Sequence, residues 1–474
     1  MNQTDLAFAP ALKQAEMIRS GDITPVELTE LYLKRIERAN PVLGSYFTVL
    51  AEQAIADAKS KTEMLVQHSK DASLPAFFGV PISVKDLDPM KDVRFTIGSQ
   101  ALKDNVATFD NAIIGRIKQA GFVILGKTAT PELGTMPFTE PPGFPPARNP
   151  WNPDYTPGGS SGGAASALAA GLCAIAQGSD GAGSIRGPAF CCGLVGIKPA
   201  RGRISYAPIG DTPGGIATGG PLAHTVADAA AFLDVTAGYV TGDPYWLPDP
   251  PESFLSIVRR NQTQEVQKKL RIGFLTQLDP VGEADAVCTQ AVLDTVKRLE
   301  SLGHTVEPIQ LDFSKLIEPF TTVFRSGVGS AGIPAEALSD INQWFISHQD
   351  LAAGYFRKLW EMQGMSRQIV GAMMPYDAVL TPTYMHHTIK IGEWSHLPPK
   401  ELLEQVTRWI LPCPPFNATG QPAIALPTHL AENNLPVGVQ LVGRPADEAT
   451  LIAIATQLET INPWNHRPAI AEMN

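Results

Sequence analysis

The stretch that decides the fold covers residues 156–205 and reads TPGGSSGGAASALAAGLCAIAQGSDGAGSIRGPAFCCGLVGIKPARGRIS. It is rich in Gly, Ser and Ala, carries few charges, and alternates short apolar runs with residues typical of tight turns. Residues 164–176 are apolar on every side of a helical projection, so we predict a central buried helix there. The wider segment from about residue 77 to residue 207 shares this composition, and we treat it as the core of the chain.

Strand and helix patterns alternate on both sides of this stretch. Residues 80–84 predict a strand that ends at Lys85, and a second strand–helix–strand unit follows later in the chain. Such alternation indicates an α/β architecture. The last strands are expected to rejoin the same sheet, so we expect one domain over residues 1–474. The remaining predicted elements are helices at 110–119 and 286–302 and strands at 122–125, 270–276, 305–309, 376–383 and 422–427.

One helix near the N-terminus has clear start signals. Thr24 can cap it, Pro25 takes the first helical position, and Glu27 completes a capping box. Apolar residues then follow at helical spacing. Residues 238–267 differ, because they contain four prolines and little periodicity, and we expect a long surface loop there.

The composition limits the classes of function. The chain has 474 residues, of which 44% are apolar and 18% charged, so it can bury a large core. Its net charge of −10 argues against a nucleic-acid surface, which needs clustered Lys and Arg. The first residues lack the order of a signal peptide, and no apolar run is long enough to span a bilayer. We therefore expect a cytoplasmic protein with no membrane segment and no nucleic-acid partner.

Cysteine and histidine usage argues against a metal site. The five cysteines are an odd number, two of them are adjacent, and none has metal-ligand spacing. The nine histidines form no cluster of the HExxH kind. We expect no metal, no cofactor and no disulfide framework.

Two glycine-rich motifs are misleading. Residues 121–128 (GFVILGKT) match the Walker A pattern, but strand-forming FVIL stands where a phosphate-binding turn is needed, and Pro131 hinders a following helix. Residues 158–162 (GGSSG) match a nucleophile elbow, but the preceding NPDYTP cannot form the central strand that the elbow requires. We expect neither a nucleotide site nor an α/β-hydrolase site.

A third motif, residues 178–186 (GSDGAGSIR), places Ser184 after a run of small residues and before a predicted short helix. The backbone N–H groups of residues 181–184 could converge on one point, and such a nest suits an oxyanion. The alternative is a glycine-rich connection between buried elements, and the motif alone does not decide between the two.

Taken together, these segments resemble the amidase signature family. Three central motifs occur in the family's order and with its spacing, and the matching segments extend over most of the chain. The resemblance implies a central mixed β-sheet covered by helices on both sides, with a signature core at about residues 77–207. The matching segments are GVPISVKDL (79–87), AGFVILGKTATPELG (120–134), ARNPWNP (147–153), TPGGSSGGAASALAAGL (156–172), GSDGAGSIRGPAFCCGLVGIKPARGRIS (178–205), GGPLAHTVADAA (219–230), YDAVLTPT (376–383), PFNATGQPAIALP (415–427) and LPVGVQLVGRP (435–445).

The resemblance implies a Ser–cis-Ser–Lys triad of Lys85, Ser160 and Ser184, with a cis peptide bond between Gly159 and Ser160. Ser184 would be the nucleophile, and a serine hydroxyl needs a base to take its proton. Neutral Lys85 would be that base, because burial lowers the pKa of a lysine. Ser160 would relay the proton, and an acyl-enzyme on Ser184 would then be hydrolysed by water.

The resemblance also implies the groups around the triad. The backbone amides expected to bind the oxyanion are those of Gly181, Ala182, Gly183 and Ser184. The side chains expected to hold the loops through hydrogen bonds are those of Ser161, Asp180 and Arg186. For Arg186, an ordinary buried ion pair is an equal alternative.

The chain departs from the family pattern at three positions. Ala182 stands where the family usually has Gly, and its methyl group disfavours a positive φ. His224 replaces the usual Arg of its segment. Gly187 follows the SIR motif, where glutaminase subunits commonly carry Gln. Beyond these positions, residues 141–146 and the region around Trp360 and Met374 are candidates for an acyl tunnel, with core or surface loop as the alternative.

Three functions remain open at this point. We favour an amidase acting on a small amide, and two segments are similar to those of 6-aminohexanoate cyclic-dimer hydrolases. The second function is the glutaminase component of a tRNA-dependent amidotransferase, against which Gly187 and the acidic charge argue. The third is a non-catalytic binding protein on the same scaffold, against which the complete set of triad residues argues. The sequence leaves a homodimer open.

Overall fold

The computed structural model describes residues 2–67, 74–263 and 268–472. The strands of these residues are β1 (Tyr46–Val49), β2 (Pro81–Lys85), β3 (Val123–Thr128), β4 (Ile175–Asp180), β5 (Val195–Lys198), β6 (Thr218–Ala223), β7 (Arg271–Phe274), β8 (Gln277–Leu278), β9 (Gly282–Glu283), β10 (Thr305–Pro308), β11 (Ala378–Pro382), β12 (Ala423–Leu430) and β13 (Pro436–Gly443). Eleven of them form one sheet in the order β1-β3-β2-β4-β6-β5-β12-β13-β11-β7-β10. Parallel and antiparallel neighbours both occur, which confirms the mixed sheet of an α/β fold.

Helices flank this sheet. Within the described residues they are α1 (Gln3–Ala7), α2 (Ala11–Ser20), α3 (Pro25–Leu43), α4 (Ala51–Gln67), α5 (Ala112–Gln119), α6 (Gly162–Ala169), α7 (Arg186–Cys192), α8 (Val226–Thr236), α9 (Phe254–Thr263), α10 (Ala286–Ser301), α11 (Ile317–Gly329), α12 (Asp340–Ser347), α13 (Ala352–Met373), α14 (Pro399–Ile410), α15 (Pro414–Thr419) and α16 (Glu448–Ile461). In the ranges described, no helix is both long and apolar enough to cross a membrane.

The start of α3 follows from its sequence. The Thr24 side chain accepts a hydrogen bond from the Glu27 backbone N–H, and the Glu27 carboxylate accepts one from the Thr24 N–H. This capping box satisfies backbone donors that would otherwise be unpaired at the helix start. The predicted helix is therefore confirmed, together with its first residues.

Two sequence-based expectations need correction. The apolar run 164–176 is not one helix: α6 ends at Ala169, and Ile175 already belongs to β4. Gly171 turns the chain between them with a φ of 67°, a backbone conformation that Gly adopts at little cost. The expected loop at 238–267 contains helix α9, and residues 264–267 lie outside the described residues.

The sheet topology brings the signature motifs together. Strands β2 and β4 are parallel neighbours, with Val84 opposite Gln177. Their carboxyl ends therefore meet at the same edge of the sheet, which is where open α/β sheets commonly bind ligands. Lys85 ends β2 and Asp180 ends β4, so both side chains start from that edge.

Candidate active site

Lys85 lies at the centre of a buried polar cluster. Its side chain is fully buried, and its Nζ lies 2.7 Å from Ser160 Oγ and 3.1 Å from Ser179 Oγ. The Ser179 carbonyl is a weaker contact at 3.4 Å. Three oxygen atoms thus surround the amine, and two of them belong to hydroxyl groups that can also donate.

The environment of Lys85 changes its protonation. Burial lowers the pKa of the amine from 10.5 to about 7, although the nearby carboxylates of Asp88 and Asp180 act in the opposite direction. No salt bridge is formed by Lys85 within the described residues. Near neutral pH, a large fraction of the amine is therefore uncharged and able to accept a proton.

A second layer of side chains holds Lys85 in place. The Lys85 backbone N–H donates to Gln177 Oε1 at 3.0 Å. The Gln177 amide in turn donates to Asp88 Oδ2 at 2.8 Å, and the Asn111 amide donates to Asp88 Oδ1 at 2.6 Å. Burial raises the pKa of the Asp88 carboxyl, although these hydrogen bonds partly oppose that effect. Sequence reasoning missed Ser179, Gln177 and Asp88, because their positions in β4 and just after β2 do not reveal which side chains they contact.

The loop before α6 carries the two adjacent serines. The peptide bond between Gly159 and Ser160 is cis, as the resemblance implied. The Ser161 hydroxyl donates to the Ser179 carbonyl at 3.1 Å, and the Ser161 N–H donates to the Ser184 carbonyl at 3.2 Å. Ser161 therefore links the loop before α6 to both ends of the segment 179–184.

Ser184 faces open space. Its side chain is half-buried, and its residue lines a cleft together with Gly159 and Ala182. In the part of the chain that the structure describes, Ser184 Oγ has no hydrogen-bond partner. The Ser160–Ser184 hydrogen bond of a proton relay is thus not formed here. Such bonds are often long in unliganded active sites and tighten when substrate binds.

The four amides expected to bind an oxyanion differ in their availability. The Gly183 N–H donates to Asp180 Oδ1 at 2.7 Å, so this donor is already used. The N–H groups of Gly181, Ala182 and Ser184 have no acceptor among the described residues. The positive φ of the loop falls on Gly183, at 117°, and not on Ala182. The alanine therefore fits the loop without the strain that its methyl group would cause at a positive φ.

Asp180 and Arg186 form a fully buried ion pair below this loop. Arg186 Nε and Nη2 donate to the two Asp180 carboxylate oxygens, both at 2.9 Å. Burial alone would raise the pKa of the Asp180 carboxyl, but the Arg186 charge and hydrogen bonds hold that pKa well below its usual value. The same carboxylate accepts the Gly183 and Ile185 N–H groups. Arg186 therefore forms a buried ion pair with Asp180, and the same pair holds the loop. The two alternatives considered for Arg186 describe one arrangement.

Side chains from the end of the chain complete this network. Arg186 Nη2 donates to Asn417 Oδ1 at 2.6 Å, and Nη1 donates to Gln440 Oε1 at 3.0 Å. The Asn417 amide donates to Asp180 O at 2.9 Å. Asn417 lies in the PFNATG segment and Gln440 in the LPVGVQ segment, so the quoted motifs contained the signal, but nothing in their local pattern linked them to Arg186.

The cleft in front of Ser184 has a volume of about 780 Å³, counted to its open mouth. One side is the loop that contains Gly134, Thr135 and Met136. The other walls come from α11, α12 and α14, from the start of α15 and from the segment 313–316 before α11. The residues of these walls are Phe313, Leu316, Ile317, Phe320, Thr321, Phe324, Phe345, Leu403, Val406, Thr407, Ile410, Leu411, Pro414 and Pro415.

The candidates for an acyl tunnel were wrong. Residues 141–146 do not line the cleft, and the side chains of Trp360 and Met374 are 68% and 48% exposed on the outer surface. His224 is also away from the cleft, because its ring packs 5.6 Å from that of Phe8. The real walls come from helices whose apolar residues resemble those of any amphipathic helix.

Glu132 connects the two sides of the cleft. Its buried carboxylate accepts hydrogen bonds from Ser99 Oγ at 3.1 Å and from the Asn342 amide at 2.9 Å. It also accepts the Ser339 N–H and hydroxyl, at 2.7 and 2.6 Å. Ser339 precedes α12, which carries Phe345 of the cleft wall. Glu132 thus ties the loop at residues 132–136 to the wall opposite.

The space beside Gly187 is already filled. A Cβ atom placed on Gly187 would lie 1.7 Å from the Tyr384 hydroxyl oxygen. Tyr384 is fully buried and stacks at a tilt on Trp409, with ring centroids 4.5 Å apart. A longer side chain at position 187 would therefore require Tyr384 to move.

The described residues contain no group of three or more His, Cys, Asp or Glu side chains placed to hold a metal ion.

Comparisons with known proteins agree with one another. The family model described as Amidase matches residues 27–452. A relative from Synechocystis sp., also named as an amidase, is 48% identical over 456 residues, which cover 96% of this chain and 89% of the relative. The 6-aminohexanoate-cyclic-dimer hydrolase of Pseudomonas sp. is 32% identical over 502 residues, covering 98% of this chain and 97% of that protein. A solved structure of 6-aminohexanoate cyclic dimer hydrolase complexed with substrate aligns with a TM-score of 0.89 and 31% identity, covering 99% of this chain and 100% of that one.

Proposed function

Because this chain belongs to the amidase family and is an amide-hydrolysing enzyme, we propose that it cleaves a small carboxylic amide through an acyl-enzyme on Ser184. The observation that carries the proposal is the 2.7 Å contact between the fully buried Lys85 amine and Ser160 Oγ, beside a Ser184 that faces the cleft. A buried lysine with a pKa of about 7 is suited to act as a base at neutral pH.

In the first step, Ser184 Oγ attacks the substrate carbonyl carbon. The Ser184 proton passes to Ser160, and the Ser160 proton passes to the neutral Lys85 amine. Charge develops on the former carbonyl oxygen, where the free N–H groups of Gly181, Ala182 and Ser184 would stabilise it. The Gly183 N–H has a different task, since its bond to Asp180 fixes the shape of this loop.

In the second step, the carbon–nitrogen bond breaks and the departing amine takes a proton from Ser160, which is replenished by Lys85. The substrate acyl group remains on Ser184 as an ester. Water then attacks this ester with the same relay as its base, and the carboxylic acid leaves. Atoms and protons balance without a further reactant, so the overall reaction is amide plus water to acid plus amine.

The surroundings of Gly187 argue against the glutaminase alternative. Glutaminase subunits commonly carry Gln at the position of Gly187, and here Tyr384 occupies the space that such a side chain needs. The non-catalytic alternative is disfavoured because Lys85, Ser160 and Ser184 are all present and the first two are in contact.

The nucleophile is tested by replacing Ser184. Ser184→Ala should lower kcat by at least about 10⁴-fold, because removal of an activated serine abolishes the covalent route. The same change should abolish labelling by a fluorophosphonate, read as a mass increase of the intact protein. Ser205→Ala is the matched control, because the Ser205 hydroxyl donates to Asp243 outside the cleft. The Ser205→Ala variant should still be labelled by the fluorophosphonate. Undiminished turnover or labelling of Ser184→Ala would overturn the assignment.

A further inference from the structure

The walls of the cleft carry no charge. Within the described ranges, the cleft is lined by Gly, Ala, Pro, Ser, Thr, Met, Val, Leu, Ile and Phe residues, with no Asp, Glu, Lys, Arg or His among them. An ion that enters such a space loses hydration and gains no counter-charge, which is costly. The cleft is therefore built for uncharged groups.

The aromatic part of the wall is already packed. The rings of Phe320 and Phe324 are stacked with centroids 6.2 Å apart, and the edge of one ring in the Phe324–Phe345 pair faces the other at 6.3 Å. Contacts of this kind stabilise the wall in its present shape. An apolar substrate would then bind to a preformed surface, without the cost of ordering it.

Two of the four hydroxyl groups at the cleft are occupied by the protein itself. Thr135 Oγ1 donates to the Glu132 carbonyl at 3.0 Å, and Thr407 Oγ1 donates to the Leu403 carbonyl at 2.8 Å. The Glu132 carboxylate is used by Ser99, Ser339 and Asn342 and does not line the cleft. The hydroxyls left for a substrate among the described lining residues are those of Ser184 and Thr321, and both are uncharged.

Resting on the proposed function, we infer that the substrate class is uncharged amides with apolar substituents, and that the cleft rejects amides whose substituent within the cleft is ionised. Free glutamine falls in the rejected class, because its ammonium and carboxylate groups would enter a cleft lined without charge.

A matched set of p-nitroanilides tests this selection. Hexanoyl p-nitroanilide ends in a methyl group, its carboxylate analogue replaces that methyl with a carboxylate, and the 6-aminohexanoyl compound ends in an ammonium. All three share one scissile bond. The neutral compound should be hydrolysed with a kcat/KM at least about 100-fold above either ion. Equal or better hydrolysis of an ionised compound would overturn the inference.

A charge placed in the wall should change the selection in a defined direction. Thr321 is half-buried on the wall, so Thr321→Lys can bring an ammonium to the cleft while its stem stays on apolar surface. It should improve kcat/KM for the carboxylate compound relative to the neutral one by about tenfold. Thr321→Met is the control of similar length without charge and should leave the ratio unchanged. No difference between the two variants would contradict the role of charge.

Binding separates this inference from the proposed function. On Ser184→Ala, calorimetry with the three intact amides should detect binding of the neutral compound and at least about 100-fold weaker binding of both ions. Selective binding without turnover by the wild-type protein would leave the inference standing and overturn the acyl-enzyme. Turnover with unselective binding would overturn the inference alone.

Discussion

The residues around Lys85 and the residues of the cleft wall meet at Ser184, but they are held by different forces. Lys85, Asp180 and Arg186 are completely buried, and their polar atoms are joined by short hydrogen bonds. The wall opposite consists mostly of apolar side chains on α11, α12 and α14, together with Thr321 and with Thr407, whose hydroxyl donates to the Leu403 carbonyl of its own helix. A position held by hydrogen bonds requires a particular type of side chain in a particular orientation, whereas an apolar position requires only a side chain of suitable volume.

This difference shows which residues determine the chemistry of the site and which determine the selection of substrate. The chemistry depends on a few residue types at set positions, so a substitution there removes a specific group. Selection of substrate depends on the sum of many apolar surfaces, so a single substitution there has a graded effect. The predictions below should separate the two regions by the size and the kind of effect.

After the loss expected for Ser184→Ala, the largest effect is expected at the proposed base, Lys85. Lys85→Met keeps the length of the side chain but removes the amine, and kcat should fall by about 10²–10⁴-fold. Between pH of about 7 and 10.5, Lys85 is neutral in the folded protein but protonated in the unfolded chain, which binds more protons. Removing this lysine therefore removes a cost of folding, and Tm should not fall. Steady-state kinetics measures kcat, and calorimetry measures Tm. A variant that keeps more than a tenth of the wild-type kcat would refute the role of Lys85 as the base.

The second effect concerns stability. Asp180→Asn leaves the Arg186 charge buried without its partner, and the free energy of unfolding should fall by about 3–5 kcal/mol. Urea denaturation measures this change. The control is Glu252→Gln, which breaks an exposed pair with Arg260 and should lower the free energy of unfolding far less, because water screens the two charges. Equal losses in the free energy of unfolding in the two variants would contradict a greater contribution of the buried Asp180–Arg186 pair to stability.

The third effect is the dependence on pH. Below pH of about 7, Lys85 becomes protonated and cannot accept a proton, so kcat/KM should fall about tenfold for each pH unit, whereas it should level off above that pH. The Asp88 carboxylate raises the pKa of Lys85, so Asp88→Asn should move the midpoint to lower pH. A flat profile down to pH 5 in the wild-type protein would exclude Lys85 as the base.

The smallest effect is expected where the two regions are joined. Glu132→Gln should weaken the bonds to Ser339 and Asn342 that position α12, with a cost of about 1 kcal/mol. KM for an apolar amide should rise several-fold while kcat stays nearly constant, because the reacting groups are untouched. Glu404→Gln, an exposed change on α14, is the control. A fall in kcat with constant KM would instead place Glu132 in the chemistry.

The sequence offered more guidance for the residues around Lys85 than for the wall. The resemblance to the amidase signature family pointed to Lys85, Ser160 and Ser184, whereas the motif around Ser184 taken alone left two interpretations open, and the wall lies in no quoted motif apart from residue 134 and residue 415. The use of the Gly183 N–H by Asp180 could not be predicted, because four equivalent amides in a loop carry no signal of which one turns inward. Nor could the contacts of Arg186 with Asn417 and Gln440, which are more than 220 residues away in the chain.

Two further errors have physical causes. A run such as 164–176 is apolar in both helical and strand projections, and periodicity cannot separate a buried helix from a buried strand. The structure divides the run at Gly171, between α6 and β4. The wall residues were missed because an apolar stripe on a helix has the same pattern whether it faces the core or a substrate.

The order of the strands has a consequence for how the protein is made. The first six strands of the chain occupy one end of the sheet, whereas β12 and β13, among its last elements, lie in the middle and join that end to β11, β7 and β10. During synthesis, the two halves therefore emerge from the ribosome before the strands that unite them. Arg186 also receives two of its partners from that late segment. A nascent chain released before residue 417 would hold Lys85, Ser160 and Ser184 and still lack both late partners of Arg186, which lies beneath the loop that carries Ser184.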